Sequence, residues 1–152
     1  MVQFEQDYLL ALPGLALGFL GGLVVSSRGS SAELRRWDGR ATVALLAAAA
    51  VAHAALIPKV ELMRVVLLSL YGAALVVTIV AALAGVRFWR LAAVLLPAGS
   101  IAGYVYFAAV AHETDVVGLI VKLVEIGAIA AALAPILLRR RAESPLAGRW
   151  LA

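Results

Sequence analysis

"VVLLSLYGAALVVTIVAALAG", residues 65 to 85, runs for 21 positions without a charged side chain. An α-helix rises ~1.5 Å per residue and the hydrocarbon core of a bilayer is ~30 Å thick, so roughly 20 apolar residues make one crossing. The stretch has that length, and its apolar residues are continuous rather than alternating. A lone strand of this kind would leave its backbone unpaired in lipid, whereas a helix satisfies its own. The segment is therefore read as a transmembrane helix.

The same test, worked outward, finds four more runs: Tyr8–Ser26, Ala41–Ile57, Leu91–Ala111 and Val116–Leu138, of which the second is the shortest. The expected fold is an all-α integral membrane protein: one transmembrane domain over 1–152, a bundle of five helices, with 139–152 as a basic tail. Composition agrees, since 64% of the residues are hydrophobic, 14% are charged and mean hydropathy is +1.02. A soluble domain needs more polar surface than that. Cysteine is absent, which excludes disulfides, thiolate metal sites and thiol catalysis.

The net charge of +4 does not point to nucleic acid, because the arginines flank apolar runs, where topology and lipid headgroups require them. Arg28, Arg35, Arg36 and Arg40 lie between runs one and two, Arg87 and Arg90 between three and four, and Arg139, Arg140, Arg141 and Arg149 after run five. The other side holds Lys59 and Arg64 beside Glu5, Asp7, Glu61, Glu113 and Asp115. The positive-inside rule then puts the N-terminus outside and the C-terminus in the cytoplasm. Trp37, Phe88 and Trp89 are expected as anchors at the inner interface, and Tyr8, Tyr106 and Phe107 at the outer one. "MVQFEQDY" is acidic where a signal peptide needs a basic start, so the first helix is read as retained; its loss would leave four helices. The preference for Arg over Lys, with abundant Ala, Val, Leu and Gly, fits a GC-rich bacterium and hence a multi-pass protein of its inner membrane.

Apolar surface gives helices little drive to associate in lipid, so small residues that permit close approach carry the packing signal. Gly14, Gly18 and Gly22 form a double GxxxG in the first helix; Gly99 and Gly103 form one in the fourth; Ala44, Ala48, Ala52 and Ala55 line one side of the second. Intrachain packing and a dimer or docking seam are both compatible with them. Pro97 and Pro135 interrupt the fourth and fifth helices, where proline removes a backbone bond and kinks the chain.

Within the last run, "GLIVKLVEIGAI" (118–129) places Lys122 and Glu125 among apolar residues. Counted from Val116 they lie about 10 and 15 Å deep, where a charge costs roughly 2.5–3.5 kcal/mol on insertion scales. Residues three apart share a helix face, so the two can pair, and Asp115 extends their stripe toward the outer surface. The stripe fits an internal pair that fixes packing, an ionic docking surface for another membrane protein or a second copy, or a track for a proton or ion with Glu125 titrating. His53 is a further candidate partner of Glu125 or Lys122 on a proton path, with depth along the helices favouring Lys122 as the nearer neighbour. His53 and His112, both toward the outer face, are also weak candidates to hold a haem or copper ion.

No GxSxG, HExxH, phosphate loop or CxxC occurs. The hydroxyls of Ser69, Thr78 and Ser100 have no partner visible in sequence and are expected to bond their own backbone. The segment "SSRGSSAELRRWDGR" (26–40) and the tail, with Trp150, are read as solvated basic surface. The expected function is a non-catalytic subunit or accessory protein of a membrane complex, its partners being lipid and another membrane protein or a second copy. The alternative is a small proton- or ion-coupled transporter using Glu125; the third is haem or metal binding through His53 and His112.

Overall fold

The computed structural model describes residues 11–57, 62–111 and 116–142. Readings that rest on Tyr8, His112, Asp115 and Trp150 lie outside these residues. Five helices follow one another: α1 (Ala11–Arg28), α2 (Trp37–Leu56), α3 (Leu62–Leu83), α4 (Trp89–Ala111) and α5 (Val116–Ala142). Each is long and apolar enough to cross a membrane. The five apolar runs correspond to these helices one for one. Two boundaries differ from the sequence reading in ways that matter. α2 starts at Trp37, so part of the basic segment is helix, and α5 continues through Arg139 to Ala142, so the tail begins as helix.

α2 is the central helix, packed against α1, α3 and α5, while α4 closes the bundle against α3 and α5. Its alanines make this possible, since small side chains let neighbours approach from several directions at once. Gly18 and Gly22 of α1 lie directly on it: a Cβ at Gly18 would sit 2.6 Å from the Ala47 carbonyl oxygen, and one at Gly22 2.6 Å from the Ala44 Cα. The double GxxxG of α1 therefore faces α2 of the same chain. Gly99 and Gly103 meet nothing within 4 Å, so they pack against no described helix.

The connections at the arginine-rich end are built, not merely spacers. α3 ends in a Schellman motif: Gly85 adopts φ 72°, its N–H donates to Ala82, and the Val86 N–H donates to Ala81. The α1–α2 connection drops Leu34 into the core and lays the Glu33 carbonyl over Gly39, where a side chain would collide. The solvated reading of 26–40 holds for Arg28, Arg35, Arg36 and Arg40, which are exposed, and is corrected at Leu34 and Asp38, which are buried. Asp38 is buried and accepts from Arg36 at 3.1 Å and from Arg90 of α4 at 2.7 Å. Arg90 also donates to Glu33 at 3.0 Å and to the Ala132 carbonyl of α5 at 3.2 Å. Trp89, expected as an interfacial anchor, is buried instead, its indole N–H donating to Glu33 at 2.7 Å. Glu33 of the connection and the buried Asp38 of α2 together engage Trp89 and Arg90, since a carboxylate taken out of water needs charged or N–H donors. Trp37 and Phe88 remain exposed.

Two apolar clusters fill the interior. One, toward the arginine-rich end, joins Leu34, Leu46, Leu75, Trp89 and Ala128 among others. The second, toward the opposite end, joins Ala11, Leu15, Ala52, Val117 and Val121. Because the α1–α2 contact is backbone to backbone, it has no room to relax. Gly18→Ala is expected to cost about 1–3 kcal/mol by overpacking. Gly21→Ala, with nothing within 4 Å, should leave stability unchanged. Unfolding of the two variants in mild detergent compares them directly.

Candidate functional site

On α5 the buried residues Val117, Val121, Glu125, Ala128 and Ala132 recur at spacings of three and four, so Glu125 occupies a core position of an otherwise apolar stripe. It sits where the two apolar clusters meet, one turn from Val121 on one side and from Ala128 on the other. Its relative exposure is 0%. A bare carboxylate there would be untenable, and four helices supply its neighbours.

Lys122 reaches along α5 and donates to Oε2 at 2.9 Å. Tyr71 of α3 donates its hydroxyl to Oε1 at 2.9 Å, and Ser100 of α4 donates to the same oxygen at 3.1 Å. Lys122 also donates to the Ser100 oxygen at 2.5 Å, closing a ring of charge-assisted bonds through Lys122, Ser100 and Glu125. From α2, Nε2 of His53 faces Oε1 at 3.7 Å, while Nδ1 lies 2.7 Å from the Ala49 carbonyl. The His53 and Tyr71 rings meet edge to face at 4.8 Å between centroids. The Lys122 ammonium lies 5.8 Å from the centre of the Tyr104 ring. No buried side-chain nitrogen or oxygen among the described residues lacks a hydrogen-bond partner.

The structure sets Nε2 of His53 against Glu125, one of the two partners the sequence offers it. The reason is side-chain direction. α2 and α5 run antiparallel, since Ala52 packs with Val117 and Val121 while Leu46 packs toward Ala128. Cα–Cβ bonds tilt toward the N-terminus of their own helix, so His53 and Glu125 lean toward each other from different depths.

Of the residues read from sequence as an intramembrane polar site, Lys122, Glu125 and His53 are therefore brought together, and Asp115 lies outside the described residues. The His53–His112 pair is not placed, because His112 also lies outside them. Among the described residues no group of three or more His, Asp or Glu side chains is positioned to hold a metal. Sequence reasoning missed Tyr71 and assigned the Ser100 hydroxyl to its own backbone. The available signal was weak: each is a polar side chain near the middle of an apolar helix, with no local partner three or four residues away.

Chemically, the centre holds one carboxylate, one ammonium, one imidazole and two hydroxyls from four helices in mutual contact. No family model, curated protein or solved structure matches the chain.

Breaking a buried pair leaves one charge uncompensated, whereas replacing both partners does not. Lys122→Met alone is expected to destabilise the protein by about 3–5 kcal/mol. The double variant Lys122→Met, Glu125→Leu should recover most of that loss. Equilibrium unfolding of the single and double variants in detergent measures the difference.

Proposed function

We propose that this chain is a multi-pass membrane protein acting as a non-catalytic subunit or accessory protein of a membrane complex, with its arginine-rich end in the cytoplasm. The observation that supports a scaffolding role is the engagement of Lys122 and Glu125 inside the chain. Both charges are bound by α3, α4 and α5 side chains, so the pair locks one packing of the bundle instead of presenting an ionic face outward. The basic residues gathered at one end supply the orientation, by the positive-inside rule. Docking then falls to the lipid-facing sides. Gly99 and Gly103 of α4, which meet nothing within 4 Å among the described residues, offer the close backbone approach that another transmembrane helix needs. The α1 glycines are already covered by α2 and do not serve this role.

The reading is tested by purification from the native membrane in mild detergent, with mass spectrometry of co-eluting proteins. A stoichiometric integral membrane partner is expected, and it should be lost from a Gly99→Leu, Gly103→Leu variant that still folds. Elution of the chain without any stoichiometric partner would rule out the subunit role.

A further inference from the structure

We propose that the Glu125 centre is a proton-binding site, in which one exchangeable proton is held between Nε2 of His53 and the Glu125 carboxylate. This goes beyond the subunit role and does not depend on it. A backbone carbonyl can only accept, so the 2.7 Å contact with Ala49 places a hydrogen on Nδ1 of His53. Nε2 is then the basic atom of the ring, and it faces Oε1 at 3.7 Å, close to hydrogen-bond range and shielded from solvent. Two basic atoms thus confront each other across a gap that a single proton would bridge. Binding forms one bond, N–H on His53 or O–H on Glu125, to a proton delivered from water. No other covalent bond breaks and no electron moves.

The surrounding groups suit either charge state. In the described arrangement Tyr71 and Ser100 donate to Oε1, as an ionised carboxylate requires. Both are hydroxyls, which carry acceptor lone pairs and can turn to accept once the carboxyl is neutral. A centre meant only to neutralise Glu125 needs nothing beyond Lys122; His53 adds a group whose ordinary titration lies in the physiological range. The polar groups that face His53 across the gap come from α3, α4 and α5. α5 brings Glu125, which favours the added proton, and Lys122, which opposes it. α3 brings the Tyr71 hydroxyl, and α4 the Ser100 hydroxyl with the Tyr104 ring beside Lys122. The charged residue of described α1 is Arg28, in its last turn at the far end, and α2 adds Asp38 and Arg40 at that same end. Lys122 keeps 11% of its side chain exposed.

The test uses the full chain in lipid nanodiscs, with ¹⁵N-labelled histidine and His112→Gln, which leaves His53 as the sole imidazole. Ring-nitrogen shifts and the infrared stretch of protonated carboxyl are followed between about pH 4 and 9. The expected result is one protonation step, with Nε2 gaining a hydrogen or a buried carboxyl band appearing. Glu125→Gln should abolish the carboxyl band or lower the His53 midpoint by about one unit or more, through loss of the counter-charge. Should that variant fail to fold, Tyr71→Phe, which removes one donor to Oε1, should raise the same midpoint. An imidazole protonated at Nδ1 alone throughout, with no carboxyl band, would overturn the proposal. So would a His53 titration that neither variant shifts.

Discussion

A carboxylate at the junction of two apolar clusters constrains everything around it. A charge at the centre of a membrane helix costs roughly 2.5–3.5 kcal/mol even on lenient scales, and Glu is too short to reach an interface. The structure offsets that cost with donors from three helices, and the donors then define the bundle. Tyr71 fixes the rotation of α3, Ser100 that of α4, and Lys122 completes the ring from α5. Packing among alanines and leucines in lipid is weakly directional, so the few polar bonds carry much of the specificity. Van der Waals fit between α1 and α2 sets the separation of helices; the Glu125 ring sets their registers.

The arginine-rich end solves a related problem differently. There, Asp38 is buried but lies in the first turn of α2, where an acidic side chain also meets the positive end of the helix dipole. Arg90 ties this turn to the preceding connection, through Glu33, and to α5, through the Ala132 carbonyl. One guanidinium, with its donors in a fixed fork, joins three segments that apolar contact alone would leave free to slide.

Much of this was legible in the chain. Apolar run length located all five helices, because a bilayer-scale helix is a property of composition along one segment. The Lys122–Glu125 pair was equally legible, since a spacing of three settles adjacency within a helix. What failed to show were relations between helices. Tyr71 and Ser100 lie 54 and 25 residues from Glu125, and no local pattern marks them as its donors. Which of Lys122 and Glu125 faces His53 was not legible, because depth counting tracks Cα positions and ignores the opposed tilt of side chains on antiparallel helices. Trp89 looked like a headgroup anchor because its neighbours in sequence are basic; Glu33, 56 residues away, draws it inside. The glycines divide in the same way: one identical spacing faces α2 in α1 and open space in α4, and only the fold distinguishes them.

The short reach between Lys122 and Glu125 has a consequence for a helix such as α5, long and apolar enough to cross a membrane, were it to enter one. While the chain is being inserted, a helix meets lipid before it meets its bundle. Two unpaired charges on one segment would make that passage doubly unfavourable, but a pair one turn apart can neutralise itself without help from the rest of the protein. On that route α5 would carry its counter-ion with it as it leaves the aqueous phase. Tyr71, Ser100 and His53 become necessary afterwards, when the helix has to find its one place among the others.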